Sequence, residues 1–488
     1  MSRPRIAVLG AGVAGLAAAR KLAERCDVVL FDRAERAGGK LVTTSFRGRL
    51  LDLGPDNFIT RNPAARLLCE ELGLGPELLA PATSSAGVAI RGRLRPFPRG
   101  LVLGVPTDLS ALRRSGIVDA WGVLRSAADL VLPRSRASSA LLAQVAGGSP
   151  DPTIAELVAP RLGPAVLDAL VDPLLGGINA GDSRRLSFAA AAPSIAVPAT
   201  GGRSLLRALR PRPTSASGES GPLFLGLRDG IASLPDHLVE ACTARGVELR
   251  LATAVDHLAR AAGEQWSIHS NGSSLTVDGV VVALPAFETA TVLGAGELAR
   301  ECAAIDYAGV VTVTFAWPDT AVPRRIADEL GPPPATDGPA TARALLPGSG
   351  VLVPRSSGRL VTALSFTSTK WPRSVAPGEV VIRASAGRDG DGRALALDDA
   401  ALLGAIRREL SELLGIAAEP LDHVVQRWPA SFPQYVSGHL QRVGRIRQLA
   451  AALPGFALAG AAYDGIGIPA CVASGERAAS VIDEHLSR

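Results

Sequence analysis

Gly10, Gly12 and Gly15 stand in the run Gly10-Ala11-Gly12-Val13-Ala14-Gly15, and the acid Asp32 follows twenty-two residues after Gly10. Glycines at that spacing suit a dinucleotide. Gly10 permits a tight turn, Gly12 lets a pyrophosphate approach the backbone, and Gly15 lets a helix pack close to a sheet. Asp32 can accept hydrogen bonds from ribose hydroxyls. A plain glycine-rich strand–helix turn is the alternative, and the strand, helix and acid all standing in place favour the dinucleotide. Other chemistry is hard to find. The chain shows no Ser/His/Asp order, no paired carboxylates and no HExxH. Cys26, Cys69, Cys242, Cys302 and Cys471 lie far apart without a CxxC pair or a Cys/His ligand cluster. No metal site is therefore predicted, and the thiols are expected to be reduced.

The elements that would position these residues follow from the apolar pattern. Ile6–Leu9 and Val28–Phe31 read as buried parallel strands, with an Ala/Leu-rich helix to about Arg25 between them. The helix N-terminus supplies free N–H groups and a positive dipole end for phosphates. At the far end, Ala457–Gly460 reads as a strand and Ala470 to about His485 as a helix, with Pro469 suited to its first position. Between them stands Gly465-Ile466-Gly467-Ile468. Small residues Ala470, Ser474, Gly475, Ala478 and Ala479 favour close packing of that helix against another element. Val247–Leu251 through Val255 and Val280–Pro285 add strand-like runs, and Ile305–Phe315 and Leu360–Phe366 suit an antiparallel sheet. Ile117–Leu132 and Thr153–Leu170 carry helical periodicity, whereas Pro211–Pro222 and Pro332–Pro339 read as a linker and an exposed loop.

Composition sets the outer bounds. The 488 residues are 47% hydrophobic and 20% charged, which excludes intrinsic disorder. Basic residues exceed acidic ones by only 51 to 46 with no basic run, so nucleic acid is not an expected partner. Ile6–Leu9 enters a glycine loop and not a cleavage site, and no apolar stretch of eighteen residues occurs, so neither signal peptide nor membrane span is predicted. Only Lys21, Lys40 and Lys370 are lysines in an Arg- and Ala-rich chain, the signature of a GC-rich genome.

Further motifs select among dinucleotides. Asp32 is followed by Gly38-Gly39-Lys40 and then by Asp52-Leu53-Gly54-Pro55-Asp56-Asn57. This series resembles the amine-oxidase-like FAD superfamily, in which the second glycine pair and the GPD turn approach the flavin; a simple turn is the alternative for Gly38-Gly39 alone. Leu94-Arg95-Pro96-Phe97-Pro98, Val171-Asp172-Pro173-Leu174-Leu175-Gly176-Gly177-Ile178-Asn179-Ala180-Gly181-Asp182, Ser368-Thr369-Lys370-Trp371-Pro372, Arg427-Trp428 and Phe432-Pro433-Gln434-Tyr435 extend the likeness nearly end to end. Together they resemble the oxygen-dependent protoporphyrinogen/coproporphyrinogen oxidases. Departures are Asp229-Gly230 for a usual glycine pair, Asn179 for a usual aromatic, and Asp32 for the more frequent Glu.

The resemblance implies an α/β fold: a discontinuous Rossmann-like FAD-binding domain (1–88, 222–288, 450–488), a mixed-sheet substrate-binding domain (289–449) and a helical lobe (89–210). It places FAD contacts on Gly10, Ala11, Gly12, Val13, Ala14, Gly15, Asp32, Arg33, Gly39, Lys40, Gly54, Pro55, Asp56, Asn57, Val255, Trp428, Gly465, Ile466, Gly467 and Ile468. Core packing is the alternative for Val255. Gly176, Gly177 and Ile178 are expected beside the flavin N5, a backbone carbonyl orienting or receiving a pyrrole proton; a tight loop between helices is the alternative. Arg95, Arg99 and Lys370 are candidate propionate partners, with solvated surface as the alternative, and His439 is expected to be structural.

The implied reaction is oxidation of coproporphyrinogen III to coproporphyrin III by dioxygen with release of hydrogen peroxide. Protoporphyrinogen IX is the nearest alternative, followed by an amine or carotenoid oxidoreductase and a non-catalytic porphyrin-delivering flavoprotein. The coproporphyrin preference rests on the motifs, which resemble those of Gram-positive members of the family, and on the Arg/Ala bias, which points to an actinobacterial source. A cytoplasmic enzyme is expected, with room for transient contact with a downstream ferrochelatase-type enzyme. Peripheral membrane contact would use the lobe, where Arg113-Arg114 and Arg134–Arg136 flank apolar stretches.

Overall fold

The structure is a computed structural model that describes residues 3–133, 136–145, 151–200, 203–210, 221–331 and 345–487. The linker expected at Pro211–Pro222 and the loop at Pro332–Pro339 fall almost entirely outside the described residues, as does Arg134. The apolar runs at both chain ends meet in one five-stranded parallel sheet, ordered Glu248–Arg250, Asp27–Phe31, Arg5–Leu9, Gly279–Val282 and Phe456–Leu458. Val8 lies opposite Leu30 and Val281, and Val281 opposite Ala457. Successive side chains point to opposite faces, and both faces are dry, which is why the strands read as unbroken apolar runs. Ile6, Val8, Val28 and Leu30 enter one core with the helices Val13–Leu22, Ser233–Ala244 and Ile468–Leu486. Ala7, Leu9, Val29 and Phe31 enter the other, against the three-stranded unit His257–Arg260, Trp266–Ser270, Ser273–Val277.

The small residues of the last helix find their partner in the first one. A Cβ on Gly475 would stand 2.0 Å from the Ala14 carbonyl oxygen, so the two helices cross with backbone against backbone. A Cβ on Gly15 would stand 1.8 Å from the Gly10 oxygen, which seats the N-terminal helix on its own turn.

A second, seven-stranded sheet runs Asp422–Pro433, Tyr307–Pro318, Glu379–Ala386, Val361–Ser365, Gly350–Leu352, Gly87–Ile90, Arg93–Pro96. Every pair is antiparallel except Gly350–Leu352 with Gly87–Ile90, so the sheet is mixed. Alternate residues Val311, Val313, Phe315 and Trp317 pack on Leu402, Ile406 and Leu410 of the helix Asp399–Leu414. The stretch expected as a helical lobe is 89–210. Residues 87–96 are a hairpin on the edge of this sheet, and helices begin at Leu109. The local pattern around 93–96 is too short to reveal which sheet it joins. Helices from Leu109 onward share their own apolar core, which includes Leu112, Leu157, Leu170 and Phe188. Beneath it lies the buried ion pair Arg161 Nε to Asp129 Oδ1 at 2.5 Å.

Replacing Gly475 by alanine forces the two terminal helices apart and is expected to cost about 1–3 kcal/mol in a denaturant titration. Gly444 sits in the helix His439–Ala451 with open space where its Cβ would be. Gly444→Ala is therefore expected to stabilise by about 0.5–1 kcal/mol in the same measurement.

Candidate active site

A cavity of about 1050 Å³ opens at the carboxyl ends of the parallel strands, between that sheet and the seven-stranded one. Ligands of open α/β sheets collect at this edge because helix N-termini and turns face it. One side of the cavity carries Gly10, Gly12, Val13, Ala14, Asp32, Arg33 and Val255, followed by Gly39, Lys40, Gly54 and Pro55. Farther along come Trp428, Ile466 and Ile468. Gly176, Gly177 and Ile178 form part of the opposite wall, with Ile178 49% exposed at the mouth.

The nucleotide turn has the shape a pyrophosphate requires. Gly10 has φ +104°, and its N–H donates to the Phe31 carbonyl at 2.7 Å, closing the turn against the neighbouring strand. Gly12 lines the cavity, and a Cβ there would meet nothing within 4 Å; the space in front of it is open. The helix that follows begins at Val13, so unpaired N–H groups face that space. Asp32 is fixed by two backbone donors, Ala11 N–H at 2.6 Å and Ala34 N–H at 2.8 Å. Each carboxylate oxygen keeps a lone pair for a ribose hydroxyl. Ala11 thus acts through Asp32 and Gly15 through packing, and neither lines the cavity.

Lys40 reaches the cavity and donates from Nζ to the Ser431 carbonyl at 2.8 Å. Burial lowers its pKa, opposed by Cys471 and Glu288. Burial raises Glu288, opposed first by Arg33, whose Nη2 stands 2.7 Å from Oε1. Burial also pushes the Cys471 thiol up to about 11 and the Tyr307 phenol up to about 12. Glu288, Cys471, Tyr307, Arg383, Arg388 and Asp172 also line the cavity, and their local sequence gives none of them a role there. Glu288, Cys471 and Asp172 come from helices, Tyr307 and Arg383 from strands of the mixed sheet and Arg388 from a loop, so tertiary contacts and not local spacing bring them together.

The opposite wall begins with Leu167–Gly176, a helix of the wide i→i+5 type with Pro173 inside it. Proline gives no N–H and crowds the carbonyl four residues back, and the wider turn accommodates it. Gly176 and Gly177 therefore lie within helical backbone that continues over Gly177–Asn179, not in a tight loop between helices. The Gly176 carbonyl accepts the Gly181 N–H at 2.9 Å, and a carbonyl oxygen has a second lone pair. Asn179 does not shape the cavity. It is buried, with Nδ2 on the Leu175 carbonyl at 2.8 Å and its own carbonyl accepting from Gln434 Nε2 at 3.0 Å.

Other candidates lie elsewhere. Asp56 turns away from the cavity to accept Lys370 Nζ on both oxygens at 2.9 Å and Trp371 Nε1 at 2.9 Å. Burial alone would raise its pKa; Lys370 and Arg383 overcome that and hold the carboxyl well below the usual carboxylate range. Asn57 leans on the same carboxylate at 2.6 Å. Lys370 is thus committed to an internal ion pair and not to a substrate. Arg95 sits in the edge hairpin and Arg99 is exposed; neither lines the cavity. Gly465 (φ +123°) and Gly467 shape the loop that presents Ile466 and Ile468 without lining the cavity themselves. His439 is buried and stacks on Tyr435 at 4.3 Å, and burial lowers its pKa to about 4. It is a neutral packing residue at physiological pH.

Because Gly12 has ordinary backbone angles (φ −70°, ψ 171°) and open space ahead of it, Gly12→Val should fold and yet fill the cradle. The expected outcome is an unfolding midpoint for the ligand-free protein within error of the parent. Affinity for flavin dinucleotide should fall about tenfold or more by fluorescence titration.

The family model for flavin containing amine oxidoreductases matches residues 13–483. The chain is 33% identical to the coproporphyrinogen III oxidase of Mycobacterium tuberculosis over 98% of this chain and 97% of that one. It is 28% identical to the enzyme of the same name from Bacillus subtilis over 98% and 97%. A crystal structure described as a putative protoporphyrinogen oxidase from an Exiguobacterium species superimposes with a TM-score of 0.83 at 29% identity, covering 100% of both chains. The chain belongs to the flavin containing amine oxidoreductases and, within them, to the group formed by these porphyrinogen oxidases.

Proposed function

We propose that the protein binds FAD and oxidises coproporphyrinogen III to coproporphyrin III in the cytoplasm, with dioxygen as the final acceptor and hydrogen peroxide as by-product. The observation that carries this reading is one continuous cavity. It joins the Gly10–Ala14 turn, fit for a pyrophosphate, to a mostly apolar space walled by Gly176–Ile178, Leu352, Val353 and Phe432. A flavin bound there supplies hydride acceptance from a bridging carbon and reoxidation by dioxygen. The chain's own residues do the rest. Asp32 would hold the ribose, the Val13 helix end the phosphates, and Val255 the adenine. Ile466, Ile468, Trp428 and Lys40 bracket the ring end. Loss of hydride leaves a cation spread over adjoining pyrroles, whose N–H is then acidic enough to leave without a strong base. The free lone pair of the Gly176 carbonyl can orient that N–H, and the apolar walls exclude water from the reacting carbon.

Protoporphyrinogen IX is the second reading, favoured by the likeness to the Exiguobacterium structure. An amine oxidase is disfavoured by the placement of Tyr435 and Tyr463. Both are buried, Tyr435 donates to the Ala461 carbonyl, and neither lines the cavity. Among the described residues no helix is long and apolar enough to cross a membrane. The exposed Trp121, Leu124 and Val131 of the helical lobe leave a surface for peripheral contact or for handover to a ferrochelatase-type partner.

The test is aerobic turnover of both porphyrinogens by the flavin-loaded protein, read by porphyrin fluorescence and peroxide formation. The expected result is faster conversion of coproporphyrinogen III, with three peroxides per porphyrin formed. A preference for protoporphyrinogen IX would select the second reading, and no oxidation of either would reject both.

A further inference from the structure

The carboxylate-bearing substrate of the proposed reaction needs cations in the cavity, and the three cations that the sequence offered are elsewhere. The cavity carries its own. Arg383 lines it but is fully engaged: Nη1 donates to the Asp52 and Gly54 carbonyls at 3.0 and 2.9 Å, and Nη2 stands 3.5 Å from Asp56. Lys40 is held by the Ser431 carbonyl. Arg33 is paired with Glu288.

Arg388 is different. It lines the same cavity, half-buried, on the loop that leaves the strand Glu379–Ala386. Its Nε is buried with no hydrogen-bond partner, and its side chain makes a long bond from Nη2 to the Arg359 carbonyl at 3.3 Å. No carboxylate pairs with it among the described residues. A guanidinium has five N–H donors in a fork that matches a carboxylate, and a partly desolvated one left without an anion is costly. Burial lowers its pKa and the Arg355 charge lowers it further, with Asp391 and Asp172 opposing from beyond ion-pair distance, so an anion entering the cavity would favour the charged form.

The loop is also rigidly placed against the reacting wall. Asp389 N–H donates to the Ala180 carbonyl at 2.7 Å, and its carboxylate takes Arg185 Nη1 at 2.5 Å. Arg355 Nη2 and Nη1 clamp the Gly181 and Asp389 carbonyls at 3.0 and 3.2 Å. Arg355 also stands 4.0 Å from Asp172 and 3.9 Å from Asp182, which offsets the negative charge nearest the cavity there. Arg388 is therefore held on a loop tied to Ala180 and Gly181, which line the same cavity.

We propose that Arg388 is the anchoring cation for a propionate carboxylate of the substrate. The assignment rests on the porphyrinogen reading above. It is tested with flavin-loaded Arg388→Gln and Arg388→Lys beside the parent protein. Turnover of coproporphyrinogen III is measured together with equilibrium binding of two redox-inert probes, coproporphyrin III and its tetramethyl ester. Loss of one charge-assisted pair is expected to raise KM and the coproporphyrin Kd about tenfold to a hundredfold in the glutamine variant. The lysine variant should lose less, kcat and flavin content should hold within about twofold, and ester binding should not change. Equal coproporphyrin affinity in parent and Arg388→Gln would overturn the assignment while leaving the porphyrinogen reading intact. So would an equal loss for acid and ester, because that marks a packing defect and not a charge pair. A parent protein that oxidises no porphyrinogen would instead reject the reading itself.

Discussion

The arrangement depends on the backbone contact between Ala14 and Gly475. Residues 461 positions apart come so close that no side chain fits between their helices. That contact seats the last helix on the first and brings Ile466 and Ile468 to the cavity that Gly10–Ala14 open. With a larger residue at 475 the two ends of the chain would present their parts to different places. Core burial alone does not specify this crossing, since apolar contacts are tolerant of sliding by a fraction of a turn, and the absent Cβ is what selects one approach.

A second junction ties the nucleotide sheet to the mixed sheet. Asp56, Lys370, Trp371 and Arg383 form a charged knot beneath Gly54 and Pro55. Removing either charge from such a knot leaves its partner buried and unpaired, which costs about 3–5 kcal/mol. The knot holds the Gly54-Pro55 turn toward the cavity while the acid next to it faces away. A motif that reads as one cofactor-binding unit is thus divided in space: two residues line the site, and two hold the domains that make it.

Legibility in the sequence follows the range of the interactions involved. The strand–turn–helix–strand–acid unit from Ile6 to Asp32 was readable because its spacing is set by local geometry. The close packing of Ser474, Gly475 and Ala478 was readable as a tendency, although the partner helix was not. The hairpin at 87–96 is not legible because four-residue strands carry too little pattern to name their sheet. The wide helix at Leu167–Gly176 was hidden because its cause, Pro173 inside an apolar run, reads equally well as a break. Arg388 could not be chosen among so many arginines. What separates it from Arg383, five residues earlier, is the set of acceptors each one finds after folding.

The account stands on one flavin lying along both chain ends with its ring against the Gly176–Ile178 wall. The most direct measurement is a crystallographic map of the yellow protein as purified. The account predicts continuous dinucleotide density from Asp32 past Gly12 to Ile466 and Ile468. Protein that is colourless and takes up no flavin, or density for the ring on any other surface, would contradict it.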